Sequence, residues 1–206
     1  MAKPIEENLI FILGARGVGK TSLKNVISGR EFNEKEAHSK IGITTSYFTV
    51  DDKNYCIKEL TDNDNFSETK NLKYRLEEIL LIFVVFSVDD ENSLEYAKSL
   101  ILFIKSNITY NLGLKIILIG NKFDSRKNNI PSVRVNQIEA ENFSNENDVD
   151  NYYDISCKTG LNIEIISKII EDINHREKYI DKDDENNHED SAFGLKNEKS
   201  QSCIII

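Results

Sequence analysis

The chain has 206 residues, 39% of them hydrophobic and 30% charged, which supplies one sizeable core and excludes disorder of the whole chain. For a chain of this length, one domain with a tail is favoured over two small domains. The formal net charge of −9 argues against a nucleic-acid partner, because non-specific binding needs Lys and Arg to neutralise phosphates. Three cysteines cannot form a disulfide framework, and neither a signal peptide nor a membrane-spanning apolar run is recognised. We therefore expect a monomer in a reducing, cytoplasmic compartment.

Apolar runs alternate with helical spacings along most of the chain. Strands are predicted at residues 8–13, 47–50, 55–60, 79–88, 116–119 and 152–155, and helices at 20–27, 94–108, 133–143 and 166–173. This alternation predicts a parallel sheet with helices on both faces and a ligand at the carboxyl ends of its strands. The polar, acidic residues 179–206 are predicted to form a disordered tail.

A glycine-rich segment directly follows the first predicted strand. Residues 14–21 match G-x-x-x-x-G-K-[ST], and their place between a strand and a helix disfavours a chance glycine-rich turn. The glycines let backbone N–H groups turn toward one anion, and the next helix points its positive end there. Lys20 is predicted to stabilise phosphate charge and the Thr21 hydroxyl to hold Mg²⁺; no other catalytic residue is proposed. The predicted phosphate-binding residues are Gly14, Arg16, Gly17, Val18, Gly19, Lys20, Thr21 and Ser22.

Two further motifs follow later strands and point to a purine base. Residues 121–124 read N-K-F-D, and a carboxylate at Asp124 can accept the two N–H donors on the edge of guanine, which adenine lacks. Residues 154–158 read D-I-S-C-K and place backbone N–H groups near the guanine carbonyl. Taken alone, an N-K-x-D sequence is a weak signal, because solvated Asn-Lys-Asp loops are common.

The phosphate loop, N-K-x-D and S-C-K, in this order and at these intervals, resemble the Ras superfamily of small GTPases over residues 6–178. The resemblance implies an α/β fold, the small G domain of P-loop NTPases, with a six-stranded, mostly parallel sheet and five helices. It implies a GDP/GTP switch that uses Mg²⁺. The base-site residues that it implies are Phe32, packed edge-on against the base, Asn121, Lys122, Asp124, Ser156, Cys157 and Lys158.

The short interval between Asp124 and Ser156 leaves little room for the extra helix of Rho-like members, and residues 39–42 resemble switch I of Rab-like proteins. A Rab-like protein is therefore expected. A P-loop kinase is a weaker alternative, against which the two base motifs argue. In switch I, spacing from Thr21 places Ser39 at the Mg²⁺ position, whereas alignment on residues 41–42 places Lys40 there. Lys40 cannot ligate a cation, and Thr44 and Thr45 are more distant choices that suit a strand.

The expected switch II departs from the family pattern. Residues 62–66 read D-N-D-N-F, so Asp62 retains the acid that holds Mg²⁺ through water. Asn65 replaces a glycine, and Phe66 replaces the glutamine that orients the attacking water. Arg16 stands where the family prefers a small residue, and its guanidinium either obstructs an arginine finger or forms a salt bridge elsewhere. Slow GTP hydrolysis is therefore expected, with a GTP-bound interaction module that does not hydrolyse usefully as the alternative.

The chain ends in Cys203-Ile204-Ile205-Ile206, a C-a-a-X sequence of the geranylgeranyl class. Prenylation of Cys203 would place the protein at the cytosolic face of a membrane. One lipid gives limited anchoring, and the acidic tail lacks the usual basic second signal. The association is therefore expected to be reversible and assisted by proteins. The expected protein partners are an exchange factor, an effector and a prenyl-binding carrier.

Overall fold

The computed structural model describes residues 8–34, 42–61, 79–107, 113–128 and 137–173. The chain divides into two compact units, Met1–Glu171 and Asp172–Ile206. The predicted end of the domain at residue 178 and the predicted tail lie outside the described residues, so both stay predictions. Within the described ranges, no helix is both long enough and apolar enough to cross a membrane.

Six strands form one sheet, and the described ranges contain four α-helices and a 3-10 helix. The strands are β1 (Asn8–Gly14), β2 (Gly42–Val50), β3 (Lys53–Thr61), β4 (Ile79–Ser87), β5 (Lys115–Asn121) and β6 (Asn151–Asp154). The helices are α1 (Lys20–Ile27), α2 (Glu91–Asn107), α3 (Gln137–Glu146) and α4 (163–173), with the 3-10 helix at Phe123–Asn128. The predicted α/β fold is confirmed; the fifth implied helix has no counterpart in these ranges.

The sheet has the order β2-β3-β1-β4-β5-β6, and every neighbouring pair is parallel except β2 with β3. The middle of the sheet is its most buried part. Eight of the nine residues of β4 are buried, which fits a parallel strand covered on both faces and explains its continuous apolar sequence. On α2, the predicted apolar face is confirmed, because Leu94, Ala97, Ile101 and Ile104 are buried.

The hairpin of β2 and β3 is longer than predicted. Its turn consists of Asp51 and Asp52, both with positive φ, 47° and 63°, which suits the right-handed twist of the flanking strands. The register then pairs Val50 with Lys53 and continues to Gly42 with Thr61. The predicted strand 47–50 began five residues late and the predicted strand 55–60 lacks both ends of β3, because the residues left out, 42–46, 53–54 and 61, are mostly polar and do not belong to an apolar run.

The topology brings the three sequence motifs to one edge of the sheet. Residues 14–21, 121–124 and 154–158 each begin at the last residue of a strand, β1, β5 and β6 respectively. All three strands run parallel, so their carboxyl ends face the same side. The motifs, far apart along the chain, therefore meet beyond the carboxyl ends of the strands, where open α/β sheets bind ligands.

Candidate functional site

The phosphate loop is shaped by close backbone packing. A Cβ on Gly14 would lie 2.0 Å from the Val85 carbonyl oxygen, and Gly14 has φ of +142°, so neither space nor conformation admits a side chain. Gly19 precedes α1 in the left-handed conformation, with φ of 98°. It has no side chain to cap the helix, so the first N–H groups of α1 are not taken by a cap at this position. Such an end attracts an anion.

Lys20 places a positive charge inside this loop. Its side chain is 5% exposed, and Nζ donates hydrogen bonds to the carbonyl oxygens of Gly14 and Ala15, both at 2.7 Å. These bonds hold the ammonium within the phosphate loop, because the two carbonyls belong to the loop's own backbone. Arg16, in contrast, is exposed. The loop therefore combines backbone donors with one fixed cation, which suits a phosphate chain.

Asn121 ties the phosphate loop to the base motifs. Its buried amide Nδ2 donates to the Val18 carbonyl oxygen at 2.9 Å, while its Oδ1 accepts from the Cys157 backbone N–H at 3.2 Å. A Cβ on Gly19 would lie 2.2 Å from the same Nδ2. The family resemblance implied a bracing role for Asn121, and the structure gives its partners. One side chain thus joins the three motifs.

Asp124 is held by the second base motif. Its Oδ1 accepts a hydrogen bond from Ser156 Oγ at 2.6 Å, and Ser156 Oγ in turn accepts from the Thr159 backbone N–H at 3.2 Å. The Phe123 backbone N–H donates to the Ile155 carbonyl oxygen at 3.0 Å. A carboxylate has about four acceptor positions, so the bond from Ser156 leaves capacity for a ligand. The fixed, half-buried carboxylate is suited to reading the N–H groups of a base.

A cavity of about 450 Å³ lies between the phosphate loop and Asp124. Its lining includes the predicted residues Gly17, Gly19, Ser22, Phe32, Asn121, Lys122, Asp124, Cys157 and Lys158. Lys122 has a left-handed backbone, with φ of 64°, and its Nζ lies 4.0 Å from Asp89 Oδ1. The cavity has the size of a small-molecule site, and its lining combines glycines of the phosphate loop with Asp124.

The predicted metal ligands are only partly described. Thr21 donates its hydroxyl proton to Glu59 Oε1 at 2.5 Å, whereas Ser39, Lys40 and Asp62 lie outside the described residues. In the ranges that are described, no group of three His, Cys, Asp or Glu side chains could hold a metal ion. Thr44 and Thr45 lie in β2, as predicted.

Sequence reasoning missed several polar residues. Glu34, Asp89 and Ser125 also line the cavity, and the buried residues Lys24 and Glu59 lie beside Thr21. Two signals for the buried pair were available: Glu59 is the one acidic residue of β3, and Lys24 lies about one helical turn after Thr21. The sequence does not predict that Lys24 and Glu59 contact each other, because they are far apart along the chain.

The comparison with protein families shows the family to which the chain belongs. The family model of the Ras family matches residues 9–175, which is most of the chain and contains all three motifs. The chain belongs to the Ras family. This Ras-family protein is therefore a GTP-binding small GTPase. Members of the family bind GDP and GTP, generally with Mg²⁺, and act through regulators and effectors. No curated protein matches the chain.

Cys157, which lines the cavity of this Ras-family protein, is expected to resist alkylation. Burial raises the pKa of its thiol from 9.0 to about 12. Because only the thiolate reacts, we expect iodoacetamide at pH 8 to label Cys157 at least about a hundredfold more slowly in the folded protein than in urea. The rates are measured by peptide mass spectrometry.

The same shift has a consequence for stability. The folded state disfavours the Cys157 thiolate. The buried, protonated thiol therefore makes its full contribution to the free energy of unfolding below pH 9, and this contribution declines as the pH rises toward 12. Labelling of the folded protein as fast as the unfolded chain would contradict the burial of this thiol.

Proposed function

We propose that this Ras-family protein is a Rab-like, membrane-associated GDP/GTP switch in vesicle traffic or signalling, with slow GTP hydrolysis. The observation that carries the switch is the cavity with the phosphate loop at one end and Asp124 at the other, bridged by Asn121. Asp124 accepts the N–H groups of guanine, and Lys20 with the backbone N–H groups of the loop neutralises the phosphates. Mg²⁺, when bound, neutralises further phosphate charge; Thr21, Ser39 and Asp62 would hold it.

Slow hydrolysis is supported by the composition of switch II. β3 ends at Thr61, so the segment with Asn65 and Phe66 begins directly after a strand, as a family switch II does. A phenyl ring neither donates nor accepts a hydrogen bond, so it cannot orient the attacking water. The rate then depends on the phosphate loop, Lys20 and the metal ion, without a side chain to orient the water.

Replacing Phe66 with glutamine is expected to raise the single-turnover rate of GTP hydrolysis by about tenfold or more, because a side-chain amide can orient the water. The rate is measured with preloaded GTP in the presence of Mg²⁺. Phe66→Leu is the matched control, since leucine also lacks a polar group and should hydrolyse GTP like the wild type. Equal rates in all three proteins would show that Phe66 does not occupy the glutamine position.

The second candidate is an interaction module that stays bound to GTP. It is favoured by the joint loss of the glycine and the glutamine of switch II, at Asn65 and Phe66. Under this alternative, single-turnover hydrolysis is undetectable while GTP binds normally. Measurable turnover in the purified protein supports the switch instead, and rapid turnover would contradict the proposed role of switch II.

Membrane association is proposed to depend on prenylation of Cys203. In cells, Cys203→Ser is expected to reduce the membrane-bound fraction by about tenfold, because the prenyl chain supplies most of the anchoring energy. Fractionation and intact-mass measurement test this. Ser202→Ala, which leaves the C-a-a-X sequence intact, is the control and should distribute like the wild type. A wild-type protein without added lipid mass would refute the proposal.

A further inference from the structure

A buried carboxylate lies directly beside the predicted Mg²⁺ ligand Thr21. Glu59 of β3 is 1% exposed, and its Oε1 accepts the Thr21 hydroxyl proton at 2.5 Å. Its Oε2 accepts from Thr44 Oγ1 at 2.9 Å and pairs with Lys24 Nζ at 2.8 Å. Lys24 Nζ also contacts Thr44 Oγ1. We call these four residues, Thr21, Lys24, Thr44 and Glu59, the Glu59 cluster.

The fold explains how the cluster assembles. Thr21 and Lys24 are three residues apart on α1 and therefore share a face of that helix. Glu59 pairs with Thr44 in the β2–β3 register and with Ile12 in the β1–β3 register. The carboxylate thus lies on the α1 side of the sheet, next to the start of the helix.

Stability alone does not explain why an ion pair is buried at this position. Removing two charges from water is costly, and a well-packed apolar pair of the same volume is often as stable or more stable. In the Glu59 cluster both carboxylate oxygens have partners, and only one of these, Lys24, is charged. The bond to Thr21 is the contact that links the pair to the nucleotide site.

We propose that Glu59 is a positioning residue for the Mg²⁺ ligand Thr21. A threonine hydroxyl has one proton and two lone pairs. With its proton donated to Glu59, the Thr21 oxygen keeps its lone pairs for a cation, and the anionic acceptor makes that oxygen more basic. Lys24 and Thr44 hold the carboxylate in place. This inference rests on the proposed binding of Mg²⁺ at Thr21.

The test compares two variants without the ion pair. Lys24→Met with Glu59→Gln keeps an oxygen that can accept the Thr21 proton, whereas Lys24→Met with Glu59→Met does not. Neither variant leaves a buried charge unpaired. The measurement is the dissociation rate of fluorescent GDP as a function of free Mg²⁺, with an excess of EDTA as the metal-free limit.

We expect the Met/Met variant to need about 10 to 100 times more free Mg²⁺ than the Met/Gln variant to retain GDP, the usual effect of losing such a partner of a metal ligand. The rates in EDTA should agree within about twofold, because the cluster acts through the metal ligand. In a Thr21→Ala background the difference should vanish, since the two residues act as one unit.

Three results would overturn the inference. They are equal Mg²⁺ midpoints for the two variants, a difference that persists in the Thr21→Ala background, and a difference that is just as large in EDTA. If the double variants do not fold, Thr44→Val takes their place and should raise the Mg²⁺ midpoint about two- to fivefold, because only one of the contacts that hold Glu59 in place is lost. An unchanged midpoint there also overturns it. If the rate of GDP release from the wild type does not depend on Mg²⁺, the proposed metal site itself is refuted.

Discussion

Asp124→Ala is expected to weaken GDP binding by about 10² to 10⁴-fold, the loss of two hydrogen bonds to a charged acceptor at about 1.5–3 kcal/mol each. The carboxylate is held toward the cavity by Ser156, so its geometry is set before the ligand binds. Preference for GDP over ADP should fall as well, because Asp124 reads the guanine edge. Isothermal titration calorimetry with both nucleotides measures these changes.

A control for the loss of a surface carboxylate is available on α3. Glu141 is exposed and accepts a hydrogen bond from Gln137, away from the residues that line the cavity. Glu141→Ala should therefore leave the GDP affinity unchanged. If Asp124→Ala binds GDP and ADP like the wild type, Asp124 does not recognise the base.

Gly19→Ala is expected to reduce GDP affinity by more than about a hundredfold, because it distorts the loop whose backbone donors bind phosphate. The added Cβ would lie 2.2 Å from Asn121 Nδ2, and φ of +98° is unfavourable for alanine. Asn121 must then move, which breaks its bond to Val18 and loosens the Cys157 loop. Calorimetry gives the affinity, and thermal unfolding shows whether the domain remains folded.

Gly29→Ala separates the backbone cost from the collision with Asn121. Gly29 has φ of +76°, but no atom lies within 4 Å of a Cβ added there, and it follows α1 without lining the cavity. This variant should lose about 1 kcal/mol of stability and keep its GDP affinity. If Gly29→Ala and Gly19→Ala bind GDP equally well, the contact of Gly19 with Asn121 has no role in nucleotide binding.

The strands at the centre of the sheet were predictable because a strand buried on both faces consists almost entirely of apolar residues. The nine residues of β4 are almost all apolar, and the structure covers both faces of this strand. The β2–β3 hairpin was predicted too short, since residues 42–46 of β2 and residues 53–54 and 61 of β3 are mostly polar, and the apolar criterion does not detect them. Pairing of β2 with β3, and not the apolar character of their own residues, sets the length of these two strands.

By itself, the sequence determined the alternation of strands and helices, the phosphate loop and the two base motifs. Each of these depends on neighbouring residues, whose spacing sets backbone conformation and side-chain chemistry. Only the tertiary structure decided that Asn121 bridges Val18 and Cys157, and that Glu59 accepts the proton of Thr21. Such contacts join residues far apart in the chain, and they exist because parallel strands bring their carboxyl ends to one edge of the sheet.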